Sequence, residues 1–179
     1  VSPRSVRRRA ACALTLASVL SCGPQALAPA PQPEWILAWS DEFDGAAGAA
    51  VDESKWRYDT GDGCQDGNCG WGNQEKQSYS GASQNVALDG GGRLAIVARV
   101  APAGLTCYYG PCRYTSGKVT TRGKFHVQPG RVEARIRLPE GQGLWPAFWM
   151  LGAGFPTTPW PRCGELDIME FRGSQPATT

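Results

Sequence analysis

The chain has 179 residues, 41% apolar and 19% charged, enough apolar content for a packed core and too little charge for wholesale disorder. Its formal net charge is +2, yet Arg4, Arg7, Arg8 and Arg9 supply four of the 18 basic side chains and no acid precedes Glu34. Beyond that segment 14 basic residues face 16 acidic ones, so no basic surface for nucleic acid is expected.

The first element is an address rather than part of a fold. Arg7, Arg8 and Arg9 precede a short apolar stretch, Ala10–Leu20, well under the roughly 20 residues a spanning helix needs. Ala26-Leu27-Ala28 supplies an AxA-like cleavage site, so residues 1–28 read as a signal peptide. Val19-Leu20-Ser21-Cys22 offers a second reading, a bacterial lipoprotein box with a lipid anchor at Cys22. Both readings place the protein outside the cytoplasm of a bacterium: secreted, periplasmic or on the cell surface. The PAPQP run then makes residues 29–34 an extended linker into a domain over 35–179.

From Trp35 onward helical periodicity is nearly absent. One helical turn is expected near Asp52–Trp56, with Asp52 as its cap. Strands are predicted at 35–43, 85–89, 93–100, 118–121, 124–127, 131–138, 146–152 and 164–171. Of these, 131–138 alternates most cleanly: Val132, Ala134, Ile136 and Leu138 interleave with Arg131, Glu133, Arg135 and Arg137. The chain's 23 Gly and 14 Pro cluster between these runs as turn residues. Many short strands joined by polar turns predict an all-β sandwich or jelly roll.

Cysteine spacing agrees with export. Cys12 and Cys22 fall in the leader; Cys64/Cys69 and Cys107/Cys112 each bracket a polar loop. In an oxidising compartment the simple reading is two short-range disulfides, 64–69 and 107–112, with Cys163 left as a buried free thiol. A metal site is the alternative reading of the four, although they form no CxxC pair and have no histidine beside them.

The chemistry concentrates in Glu165-Leu166-Asp167-Ile168-Met169-Glu170. A single histidine, His126, excludes an HExxH zinc site and argues against a His-dependent triad. No GxxxxGK[ST] or GxGxxG run offers a phosphate cradle. Strict alternation would put Glu165 and Asp167 on one strand face and Glu170 on the other, where a lone charge in the core is costly. A β-bulge near Ile168–Met169 would return Glu170 to the face of the other two acids. The glutamates would then stand about four strand steps apart, ~13 Å along the backbone. Side chains leaning together close most of that gap, toward the ~5–5.5 Å of a retaining glycosidase pair. A solvated acidic face or a calcium site are the plainer readings of the same acids.

The surroundings favour a saccharide cleft. Trp145, Trp149 and Trp160 all lie within twenty residues of Glu165. Sugar rings lay their C–H faces on indoles, so tryptophans beside paired carboxylates suit a polysaccharide. Trp35 and Trp56 are expected in the core instead.

These motifs resemble the laminarinase-type members of glycoside hydrolase family 16. The resemblance rests on GLWPAFWMLG (143–152) and WPRCGELDIMEFRG (160–173). Further blocks follow in family order: WSDEFDG (39–45), WGNQEKQSYS (71–80), LAIVAR (94–99), YTSGKVTTRGKF (114–125) and GRVEARIRLP (130–139). It implies a β-sandwich jelly roll (concanavalin A-like) that hydrolyses β-1,3-glucan or mixed β-1,3/1,4-glucan internally and with retention. By position, Glu165 takes the nucleophile's place, Asp167 that of the assisting acid and Glu170 that of the general acid/base. Trp149 and Trp160 fall where the family stacks sugars, and Asn73 where it hydrogen-bonds one further along the cleft. Some members hold a structural calcium through backbone oxygens near the regions of Glu42 and Gly91; no other cofactor is implied.

Two departures stand out. WGNQE replaces the commoner WGNNE, and Ser116-Gly117-Lys118 stands where relatives often carry SGR or SAR, which bears on subsite affinity because Lys and Arg bond differently. The resemblance also implies that family members continue well past the catalytic strand, so this chain is expected to be the N-terminal part of such a domain. The expected whole is a monomeric, secreted endo-β-1,3-glucanase acting on a β-glucan. The competing readings are a non-catalytic β-glucan-binding jelly roll, or a same-family agarase, carrageenase or transglycosylase.

Overall fold

The computed structural model describes residues 34–173. The expected leader with Cys22, and the linker as far as Pro33, lie outside the described residues. The chain divides at Ser40/Asp41 into two units. Of the first, residues 34–40 are described; they carry no strand, and Trp35 is 61% exposed, so the expected strand at 35–43 and core place for Trp35 are corrected.

The second unit is built from strands and loops, with two 3-10 turns at Cys64–Asp66 and Cys69–Gly72 as the helical elements among the described residues. In chain order the strands are β1 (Arg57–Asp59), β2 (Gln77–Tyr79), β3 (Val86–Leu88), β4 (Leu94–Ile96), β5 (Arg99–Val100), β6 (Thr106–Cys107), β7 (Gly110–Pro111), β8 (Tyr114–Ser116), β9 (Lys118–Thr120), β10 (Ala147–Leu151) and β11 (Glu165–Glu170). They pair as β1–β9, β10–β11, β2–β8–β5, β3–β4 and β6–β7. The β2–β8 pair is parallel and the rest are antiparallel.

Asp52 caps a single turn as expected: its carbonyl accepts from Trp56 N at 2.9 Å and its carboxylate from Ser54 N at 2.8 Å. Trp56, expected in the core, is half-buried at its margin, its indole N–H donating to Asp41 Oδ2 at 2.8 Å and its ring stacked on Phe43. The core gathers on β3, where Val86, Ala87 and Leu88 are all buried together with Val51 and Cys107. Asn85 beside it is wholly buried, and its amide donates to Val97 O and Thr115 Oγ1 while accepting from Ser80 Oγ. Such a satisfied polar group fixes register where an unpaired one would be costly.

Gly117 sits where β8 passes into β9. A side-chain carbon there would fall 2.0 Å from Val86 Cγ2, so glycine is needed where the chain passes this closely over β3.

Three strand expectations are corrected. Residues 131–138 pair with no described segment, and Ile136 is 43% exposed. Alternation predicts which face would be dry, but a strand exists only where a neighbour accepts its hydrogen bonds. Residues 124–127 are led by a turn, with Lys124 N and Phe125 N both donating to Thr121 O after Gly123 at φ +75°. The run at 93–100 splits into β4 and β5, which join different sheets.

Candidate active site

β10 and β11 form an antiparallel hairpin whose register carries the site. Leu151 faces Glu165, Met150 faces Leu166 and Trp149 faces Asp167; then the register shifts, and Phe148 faces Met169 and Ala147 faces Glu170. Ile168 is thus the extra residue, a β-bulge on β11 where the sequence called for one. Residues opposite each other share a face, and Ala147, Trp149 and Leu151 alternate onto one face of β10. Glu165, Asp167 and Glu170 therefore lie on a single face, with Trp149 among them.

The pairing runs on past the strand ends. Phe171 N donates to Pro146 O at 3.1 Å and Gly173 N to Leu144 O at 2.9 Å. That sets Trp145 opposite Arg172, again on the acid face. At the other end Gly152 N donates to Gly164 O at 3.1 Å, and a side-chain carbon on Gly152 would meet Cys163 O at 1.9 Å. Glycine is required where the two arms converge.

All three acids are solvent-exposed. The Trp145 indole N–H donates to Glu170 Oε1 at 2.7 Å, and the Arg172 guanidinium carbon lies 4.6 Å from the Trp145 ring centre. Asn73, Gly143, Leu144, Trp145 and Arg172 line one open concavity, so Asn73 and Trp145 share a wall although far apart in sequence.

Trp149 is half-buried. Lys118 Nζ lies 5.1 Å from its ring centre, 4.3 Å from that of Trp71 and 5.9 Å from that of Tyr79. An ammonium within about 6 Å of an indole face is held by the ring's quadrupole. The same Nζ is 3.5 Å from Asp59 Oδ2, whose other oxygen pairs with Arg122 at 2.9 Å. Tyr79, beside Trp71 at 5.5 Å, donates its hydroxyl to Glu75 Oε2 at 2.8 Å. Burial pushes the Tyr79 phenol far above the ordinary tyrosine range, and the adjoining Glu75 charge pushes it further. Trp160 stands in the β10–β11 loop at 62% exposure, within the same hairpin.

Both expected disulfides are formed, Cys64–Cys69 and Cys107–Cys112. Asp62 ties their loops together, accepting from Cys64 N at 3.2 Å and from Tyr108 N at 2.6 Å. Cys163 is free but half-buried rather than buried, because it lies in the hairpin loop. A side-chain carbon on Gly92 would stand 3.5 Å from Glu42 O and 3.6 Å from Asp44 Oδ1, so the Gly-rich turn lies against the segment of Glu42. Among the described residues no group of three or more His, Cys, Asp or Glu is arranged to hold a metal.

Two partners escape sequence reasoning. Lys118 reaches Trp71 and Trp149 from a different sheet, which periodicity does not reveal. Arg172 was legible in principle: once the hairpin register is drawn, it falls opposite Trp145.

Comparison with known proteins follows this geometry. Residues 65–179 match the glycosyl hydrolases family 16. The chain is 45% identical over 146 residues to a β-glucanase of Rhodothermus marinus, covering 80% of this chain and 46% of that protein. It resembles the X-ray structure of an endo-β-1,3-glucanase from Pyrococcus furiosus with a TM-score of 0.71 and 43% identity, over 79% of this chain and 52% of that one. A laminarinase catalytic domain from Thermotoga maritima aligns with a TM-score of 0.69 and 41% identity, over 78% and 52%. The chain thus spans about half the length of these relatives.

Proposed function

Because the chain belongs to glycosyl hydrolases family 16, we propose that its protein is a secreted endo-hydrolase of β-1,3-glucan or mixed β-1,3/1,4-glucan, acting with retention. The observation that carries this reading is the bulge at Ile168, which sets Glu165, Asp167 and Glu170 on one face beside Trp149.

In this reading Glu165 attacks the anomeric carbon while Glu170 gives its proton to the leaving oxygen, leaving a glycosyl-enzyme ester. Glu170 then takes a proton from water, which attacks the same carbon and frees Glu165. Two inversions give net retention. Asp167, between the two along the strand, assists by hydrogen bonding and by its charge. Trp149 and Trp160 offer stacking faces, and Asn73 a polar contact further along the cleft. The two disulfides fit a protein exported to an oxidising compartment.

Release of reducing ends from laminarin, lichenan and agarose tests the substrate class. Laminarin should be cut into oligosaccharides of mixed length, lichenan more slowly, and agarose left intact. Retention of laminarin on the protein without any reducing ends would favour a binding role instead.

A further inference from the structure

Trp145 lines the open concavity beside the acid face and would ordinarily be taken as another sugar platform. Its contacts describe something else. The indole N–H is committed to Glu170 Oε1 at 2.7 Å, and one ring face is covered by the Arg172 guanidinium at 4.6 Å. Trp145 stands opposite Arg172 and is therefore diagonal to Glu170, which faces Ala147. Such diagonal neighbours are about 7–8 Å apart at the backbone, within reach of an indole. The bond is thus set by hairpin register and by the ring braced against Arg172.

We propose that Trp145 is a positioning residue that decides which oxygen of Glu170 carries the catalytic proton. The inference rests on the reading of Glu170 as the general acid/base. An indole N–H is a donor only. In neutral Glu170 the carbonyl oxygen is a much better acceptor than the hydroxyl oxygen, so the bond from Trp145 favours the carbonyl at Oε1 and the proton on Oε2. During cleavage the glycosidic C–O bond breaks, its electron pair goes to the leaving oxygen, and that oxygen takes the Oε2 proton. Glu165 supplies the pair that forms the new bond at the anomeric carbon. Without Trp145 the carboxyl can rotate and place its proton away from the leaving oxygen. The consequence is a loss in proton donation, not in sugar affinity.

Substrates that differ in their need for a proton separate these roles. Laminarin has a poor leaving group, whereas a 2,4-dinitrophenyl β-laminaribioside leaves without protonation, and kcat/KM reports bond cleavage for each. Glu170→Gln should lower kcat/KM on laminarin by about 10²–10⁴-fold, the usual worth of a general acid, and leave the aryl glycoside nearly unchanged. Equal loss on both would overturn the role of Glu170 itself, whatever Trp145 does. If Glu170 behaves as expected, Trp145→Phe should reproduce its pattern at about 10²-fold, with KM little changed. A raised KM on both substrates would make Trp145 a sugar platform and overturn the proposal, as would unchanged kinetics. A second measurement needs neither turnover nor a variant at Trp145 that folds. In the NMR spectrum of the protein, the Trp145 indole N–H resonance should shift in Glu170→Ala and stay in place in Glu165→Ala; a resonance unmoved by Glu170→Ala would overturn the proposal.

Discussion

Trp149 faces Asp167 across the hairpin, and one residue further along β11 the register slips, so that Phe148 faces Met169. That single slip decides the chemistry of the strand. Without it Glu170 would point to the face of Leu166 and Ile168, away from the other two acids. With it, the three carboxylates and Trp149 share one face, and Trp145 can reach Glu170 from the next position on that face.

The slip can be tested by counting residues. Deleting Ile168 removes the bulge but leaves Glu165, Asp167 and the last glutamate at strict alternation, still on one face. The variant should fold with a small loss in Tm and keep measurable glucan cleavage. Deleting Ile168 and Met169 together should instead put the last glutamate directly after Asp167, on the opposite face, and abolish cleavage. Cleavage that survives the double deletion and fails in the single one would mean the bulge does not set the face.

The carboxylate roles separate by rescue. Glu165→Ala should lower turnover by more than about 10³-fold, and added azide should restore it by attack from the vacated side, giving an inverted glycosyl azide. An inverted azide from Glu170→Ala, with a retained one from Glu165→Ala, would exchange the two roles. Asp167→Asn keeps the shape and removes the charge, so its loss should be smaller than either. A loss as large as that of Glu165→Ala would make Asp167 a reacting group.

Stacking should appear in affinity and depend on position. Trp149→Ala or Trp160→Ala should each cost about 1–3 kcal/mol in glucan binding, by analogy with aromatic stacking elsewhere. Trp56→Ala should lower Tm and spare affinity, since its ring packs on Phe43 and its N–H is bound by Asp41. Calorimetry with laminari-oligosaccharides and thermal melts distinguish the two effects. Intact affinity in both Trp149→Ala and Trp160→Ala would return those rings to a packing role.

Tyr79 predicts an alkaline limit to stability. Its phenol is raised by burial and by Glu75, so the folded chain keeps it neutral where the unfolded chain ionises it near pH 10. The contribution is complete below about pH 10 and declines above it, by about 1.4 kcal/mol per pH unit for one proton. Urea midpoints between pH 9 and 11 should fall more steeply for the native chain than for Tyr79→Phe. Equal slopes would contradict the assignment.

Much of the candidate site was legible in the sequence because its signals are local. The bulge follows from three acids that cannot otherwise share a face, and both disulfides follow from spacing. What stayed hidden depends on partners distant in sequence. The alternation at 131–138 reads as a strand, yet nothing in the segment names a neighbour, and none pairs with it among the described residues. Leu166 and Ile168, apolar residues between the acids, are 56% and 37% exposed because β10 and β11 form a two-stranded sheet of their own. Lys118 reads as a substitution for arginine; only the fold shows that its ammonium lies between Trp71 and Trp149.

The central claim is that one strand face carries a nucleophile and an acid/base that cleave glucan by two inversions. The most direct measurement is the anomeric configuration of the first reducing ends formed from laminarin, followed by proton NMR before mutarotation. The account predicts the β anomer first, with the α anomer appearing only as the sugar equilibrates. An α anomer formed first would show a single displacement by water and contradict it.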